Sequence, residues 1–287
     1  LKSNKEILFG VDFEQDVITH RYDAYVRPSG DAKALGTSAL YSVFFPTSEL
    51  ADSYEMADGT PFSWETHGSD PYTGREPRFY ATILYNGADW MGRKIESFVG
   101  GKDGYKAYEN AGAAGTTVTG YYLRKYLIDG DKTWVTSGSG QDWIVLRYAE
   151  VLLNKAEALA MENWNKNSAE ALQALNDVRA RVGLPARATA DKETFLEYVR
   201  HERKVELAGE GFRYWDLRRW RLAEKVIDGQ NVHGVKISKQ SDGSFTYEQV
   251  DADGGHKRIF YDRYYRFAIP LSERSNNSLC TNNDGWI

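Results

Sequence analysis

Glu202 and Glu206 stand four residues apart with Arg203 between them, and Arg213, Asp216, Arg218 and Arg219 follow closely. Two carboxylates on one face of a helix could serve as acid and base in glycoside cleavage, where their separation sets the stereochemical course. Phe212, Trp215 and Trp220 are interleaved with these charges. A solvated face has no use for so many large rings, and a plain core has no use for so many charges. An i,i+4 carboxylate pair flanked by arginines and covered by rings fits a buried structural ion network better than a catalytic pair. The expected members are Glu202, Arg203, Glu206, Arg213, Asp216, Arg218 and Arg219.

Other chemistry is thinly represented. The histidines at 20, 67, 201, 233 and 256 have no metal-ligand spacing. Asp251-Ala252-Asp253-Gly254-Gly255, with Asp262 at the twelfth position, faintly resembles a calcium loop. His256, however, occupies the position where such a loop needs glycine, so a hairpin tip is expected there. Cys280 has no base beside it, and Gly138-Ser139-Gly140 lacks the lysine and helix start of a phosphate loop. Asn276-Asn277-Ser278 fits a short glycosylation sequon. Neither a metal nor a cofactor is expected.

Rings in loops offer a different chemistry, because a flat aromatic face matches the apolar face of a pyranose while nearby polar groups bind its hydroxyls. Tyr22, Asp23, Tyr25, Arg27 and Tyr41 fall in one loop-rich stretch, and Trp64, Tyr72 and Trp90 in the next ones. These eight are the candidate ligand contacts.

The elements that must carry these residues fall into three parts of one domain. Residues 1–140 are loop- and strand-rich, with a strand expected at Glu6 to Phe13, a long loop from Thr19 to Leu40 and a short helix at Thr47 to Met56. A further strand is expected at Arg78 to Tyr85, and loop from Gly100 to Gly120. Residues 141–226 are helical: apolar stripes mark two helices between Leu146 and Val182, the second starting at an Asn167/Glu170 capping pair and stopping at Gly183 and Pro185. Two more are expected at about 191–209 and 213–226. The first pair has the length of one tetratricopeptide unit, which cannot cover its own apolar face. Residues 227–287 return to β, with a hairpin of Phe245–Val250 against Lys257–Tyr261 and an extended piece at 264–270.

The 287 residues suffice for a sizeable core. A net charge of −5 argues against a nucleic-acid partner. The aromatic content of 14% is compatible with sugar binding without requiring it. Cys280 is alone, and no apolar run reaches the length of a membrane span.

The stretch Glu202-Arg203 to Trp220 closely resembles the E-R-x-x-E-L-x-x-E-G-x-R-[FYW]-x-D-L-R-R-W signature of the SusD/RagB family. Further matches follow the family's order: Asn4-Lys5-Glu6-Ile7-Leu8-Phe9, Pro46-Thr47-Ser48-Glu49-Leu50, Asp70-Pro71-Tyr72 to Arg78-Phe79, Leu146-Arg147-Tyr148-Ala149-Glu150, Ala268-Ile269-Pro270 and Asp284-Gly285-Trp286. Glu76, Ala268 and Asp284 depart from it locally. The resemblance implies a mixed α+β fold, mostly helical, with tetratricopeptide-like helix pairs on an irregular layer of loops and short strands. It also implies non-catalytic capture of an oligosaccharide at the outer-membrane surface, beside a SusC-like TonB-dependent transporter, on a protein anchored through an N-terminal lipid. Peptide or glycopeptide capture by the same fold, or glycoside cleavage by Glu202 and Glu206, are the alternatives. The matched blocks further imply the C-terminal portion of such a protein.

Overall fold

A computed structural model describes residues 4–37, 41–110 and 116–286. The chain enters on β1 (Ile7–Val11), then forms α1 (Tyr22–Val26), α2 (Gly30–Leu35), α3 (Ser48–Ala51) and α4 (Trp64–His67). Next comes α5 (Pro77–Thr82), which runs directly into β2 (Ile83–Leu84). A tight turn joins β3 (Asp89–Trp90) to β4 (Arg93–Lys94), and β5 (Tyr122–Leu123), α6 (Trp134–Ser137) and β6 (Trp143–Arg147) follow. The helical region holds α7 (Tyr148–Arg181), α8 (Lys192–Glu206), α9 (Phe212–Arg219) and α10 (Ala223–Ile227). The chain closes with β7 (His233–Lys239), β8 (Phe245–Asp251) and α11 (Leu271–Asn276). The described strands pair antiparallel and two by two: β1 with β6, β2 with β5, β3 with β4, β7 with β8.

The long run α7 is two helices that meet at Asn163, whose φ of −161° and ψ of 95° are extended. Asn163 is itself the cap of the second: its Oδ1 accepts the Lys166 amide at 3.2 Å. The expected cap, Asn167, instead donates through its side chain to Leu159 and Glu162. The helices pack through small residues, Ala156 and Ala160 against Ala171 and Ala174, which let the backbones come close. Phe195 and Val199 of α8 close this core, with Trp164 lying 4.9 Å from the Phe195 ring. Burying Phe195 completely contributes roughly 2–3 kcal/mol. A second core joins Tyr54, Phe79, Ile83 and Tyr121 to Val205 of α8 and to Val235 and Ile237 of β7, tying the helices to the strand-rich part.

Several expectations are corrected. Thr19 to Leu40 is not one loop, since it contains α1 and α2; residues 38–40 of that stretch, and 111–115 of the expected Gly-rich loop, lie outside the described residues. Arg78 to Tyr85 begins as helix, because Pro77 at the first helical position presets the turn, and becomes strand only at Ile83. Leu146 belongs to β6. The helix expected at 213–226 is broken at Arg221, which has a φ of 57°. The last hairpin pairs β8 with the segment upstream of it, not with Lys257–Tyr261. Asp242 makes that turn by accepting from the Ser244 amide at 2.9 Å, with Gly243 at a φ of 89°. Residues 262–265 form a 3-10 turn rather than extended chain.

Candidate functional site

The groove that best suits a ligand lies between α1 and α6. Arg27, fully buried at the end of α1, fixes its geometry. Its Nε donates to Asp23 Oδ1 at 2.9 Å and its Nη2 to the Ile128 carbonyl at 3.0 Å. Its guanidinium lies 5.3 Å from the Trp90 ring and 5.2 Å from the Trp134 ring. A buried cation so held pins α1 to α6. The following segment is strapped to α1 by main-chain bonds, Tyr41 to the Ala24 carbonyl at 2.6 Å and Val43 to the Tyr25 carbonyl at 2.8 Å. The strap lays Tyr41 on Tyr25 at 5.2 Å and 21°, with Phe44 edge-on at 6.3 Å from Tyr25. All three rings are open to solvent, at 41%, 37% and 60% exposure.

Beside this platform the groove encloses about 460 Å³ and is walled by Arg21, Asp23, Tyr41, Trp134, Thr136 and Ser137 among others. Two polar atoms of its lining residues, Asp23 Oδ2 and Trp134 Nε1, lie buried without a hydrogen-bond partner among the described residues. One is an acceptor and one a donor, and unsatisfied groups of this kind are costly in a sealed interior. His20 is committed elsewhere: its Nε2 donates to the Gln141 carbonyl at 2.9 Å, while its Nδ1 accepts the Tyr22 amide at 3.3 Å.

Of the eight candidate contacts, Asp23, Tyr25 and Tyr41 come together here, and Arg27 lies beneath as a brace. Tyr22 turns aside, donating to the Lys125 carbonyl at 3.1 Å and packing on Trp143; burial raises its phenol well above the ordinary range. Trp90 and Tyr72 are corrected to packing residues, while Trp64, only partly covered, is not among the residues that line this groove. Trp90 is 1% exposed and donates to Asp31 at 2.9 Å. Tyr72 is buried in the second core, 4.6 Å from Tyr85. Trp64 is half-buried and donates to Asp52 at 2.8 Å. A ring without a free face cannot stack on a sugar. Sequence reasoning passed over Trp134, Thr136 and Phe44; the Thr-Trp-Val-Thr-Ser run at 133–137 was the available signal.

The ionic seam is a different kind of place. Glu202 is 1% exposed, paired through one oxygen with Arg78 and through the other with Arg179 at 3.1 Å. Glu206 is 3% exposed and is held by Arg78 at 3.1 Å, Arg147 at 2.6 Å and Arg181. Burial alone would raise the Glu206 carboxyl, but Arg147, Arg181 and Arg78 outweigh it and hold it at about 2. Glu55, gripped by His201, Arg179 and Arg187, is likewise held at about 2 against the opposing effect of burial. Glu206 borders a recess of about 300 Å³, yet its oxygens are occupied by guanidiniums. A carboxyl held that low has no proton to donate at neutral pH, as a glycosidic acid must.

A second knot joins Asp216 to Arg203 at 2.8 Å and to Arg219 at 2.9 Å. Two of the expected members are corrected. Arg218 has no carboxylate partner among the described residues; it donates to the Tyr264 and Tyr265 carbonyls, its guanidinium 4.4 Å from the Phe267 ring. Arg213 makes no ion pair with a described residue and acts on Asp216 only at longer range; burial lowers its guanidinium. Glu55, Glu76, Arg78, Arg147, Arg179 and Arg181 are seam members that helical spacing alone did not reveal. Among the described residues, no three His, Cys, Asp or Glu side chains gather to hold a metal, and no helix is long and apolar enough to cross a membrane.

Residues 5–286 match the SusD family. A SusD-like protein of Formosa agariphila is 29% identical over 203 residues, covering 66% of this chain and 37% of that protein. The solved structure of a SusD-like protein from Bacteroides fragilis is similar with a TM-score of 0.77 at 28% identity, over 99% of this chain and 55% of its own. A structure described as a SusD-like carbohydrate-binding protein, from the same species, gives a TM-score of 0.75 at 28% identity, over 95% of this chain and 54% of its own. The chain thus spans about half the length of these solved relatives.

Proposed function

The chain belongs to the SusD family, and from that premise we propose that it holds carbohydrate for uptake without cleaving it, with the groove between α1 and α6 as its contact surface. The observation that carries this reading is the open Tyr25–Tyr41 stack beside a groove walled by polar side chains such as Arg21, Thr136 and Ser137. A sugar ring brings an apolar face for the stack and hydroxyls that both donate and accept. Cleavage finds no support in the seam, where the candidate carboxylates are ringed by arginines. The whole protein would work at the outer-membrane surface as a lipid-anchored partner of a SusC-like TonB-dependent transporter, handing its ligand to that channel.

Affinity electrophoresis through gels loaded with single polysaccharides tests the groove. A retarding glycan is expected, and Tyr41→Ala should weaken its retention roughly five- to tenfold, the loss of one stacking ring, with an unchanged urea midpoint. Retention that Tyr41→Ala and Tyr25→Ala both leave intact would remove the groove from the binding surface. Release of reducing sugar that Glu206→Gln abolishes would overturn the non-catalytic reading.

A further inference from the structure

Far along the helical region lies a second recess whose charges are not balanced. It encloses about 200 Å³ between α8, α9 and α10, and its walls include Arg200, His201, Lys204, Arg213, Lys225 and Trp220. Glu197 is the carboxylate among the lining residues. It pairs with Arg200 at 2.6 Å, but Arg200 Nε stays buried without a partner among the described residues. Lys204 donates to the Glu49 main-chain carbonyl and forms no ion pair among the described residues, although Glu49 and Asp52 act on its charge at longer range. Glu49 itself is engaged by His233 at 2.6 Å, and Asp52 by Trp64. Neither Arg213 nor Lys225 forms an ion pair among the described residues, while His201 Nε2 stands 3.4 Å from the heavily engaged Glu55.

The recess beside Glu206 supplies the contrast. There Arg78, Lys125, Arg147 and Arg181 also crowd together, and each meets a carboxylate of Glu202, Glu206 or Glu210. On a chain of net charge −5, a pocket that gathers cations without their counter-charges is set up for an anion supplied from outside. Trp220 gives it one flat wall, held in plane by a bond from Nε1 to Glu157 at 2.8 Å.

We propose that the recess between α8, α9 and α10 is a binding site for a small oxyanion, sulfate-like in charge and size, with Lys204, Arg213 and Lys225 as its ligands. Such a group reaches it either as a free anion or as the acidic substituent of a sugar chain. The second source rests on the carbohydrate reading above, and the two are separable by experiment.

The protein is titrated with sodium sulfate against sodium chloride at equal ionic strength, by calorimetry, and separately with dextran and dextran sulfate. Saturable sulfate binding is expected, weakened about tenfold or more by Arg213→Gln, the loss of one charged hydrogen bond. Lys225→Gln, at an exposed position in a short helix, should weaken it in the same direction and leaves no carboxylate unpaired. Dextran sulfate bound in an Arg213-dependent way while dextran is not assigns the anion to a sugar chain; sulfate bound without dextran sulfate assigns it to a free ion. Sulfate heats identical in the parent, Arg213→Gln and Lys225→Gln proteins, or absent from all three, would overturn the proposal. Tyr41→Ala should leave the sulfate response unchanged, so a failed groove and a failed anion site give different results.

Discussion

The seam between α7, α8 and the Glu55–Arg78 segment and the groove between α1 and α6 both place polar atoms out of water, and they treat them in opposite ways. In the seam nearly every carboxylate oxygen is met by a guanidinium, although the nitrogens Arg75 Nε, Arg78 Nη2 and His201 Nε2 are left without a hydrogen bond among the described residues. In the groove Asp23 is bonded to Arg27, while Asp23 Oδ2 and Trp134 Nε1 lie buried without a partner among the described residues, and the rings beside them stay open. The seam spends its charges on itself and so acts as architecture. The groove instead sets open aromatic faces beside a polar lining, and that combination at a surface is what a sugar can use.

The comparison breaks most easily in the seam. Glu202→Leu removes the carboxylate shared by Arg78 and Arg179 and leaves two buried guanidiniums short of a partner. A loss of about 3–5 kcal/mol is expected in urea unfolding; a loss below about 1 kcal/mol would mean that water replaces the missing partner and the seam is not sealed.

Acid should undo the same region progressively. The folded value of Glu206, about 2, lies below its ordinary carboxylate value, so its contribution to stability is complete above roughly pH 4.5 and disappears as pH falls toward 2. Loss on the order of 2–3 kcal/mol is expected from this carboxyl, with Glu55 acting in the same direction. Thermal unfolding of the parent and Glu206→Gln proteins from pH 6 to pH 2 checks it: the variant should be the flatter of the two.

The smallest effect sharpens the contrast from the other side. Trp134→Phe deletes a donor without a partner among the described residues, so the stability cost should be that of the lost ring volume alone, about 1–2 kcal/mol. Glycan retention should nevertheless fall. A larger stability loss, with retention untouched, would show that the indole nitrogen serves the fold instead of a ligand.

How much of this was legible beforehand follows from range. Short-range signals carried in part: Gly183, with a φ of 76°, ends α7 as its position implied, whereas the cap expected at Asn167 is supplied by Asn163. The family signature announced charges under rings, and it lies on α8 and α9 as helical spacing required. The partners of Glu202 and Glu206 could not be read from spacing, because Arg78 and Arg179 arrive from elements 124 and 23 residues away. The ring candidates divided for a similar reason. Tyr25, Tyr41, Tyr72 and Trp90 look alike in a loop-rich sequence, and only the packing of β2, β5 and β7 decides which faces are covered. The last hairpin misled because Gly254-Gly255 is as plausible a turn as Asp242-Gly243; β8 chose the upstream partner, where Val235 and Ile237 supply the buried face.

The reach of the seam along the chain has a kinetic consequence. Arg181 meets Glu6 across 175 positions, and Glu55 meets Arg179 across 124 and Arg187 across 132. Contacts that distant impose loop-closure entropy before they return any energy, so the local α7–α8 hairpin can assemble early while the ionic closure waits for the N-terminal part of the chain to reach it. A final step of that sort is also the first to be reversed, which makes these arginines the latch whose opening sets the rate at which the folded molecule comes apart.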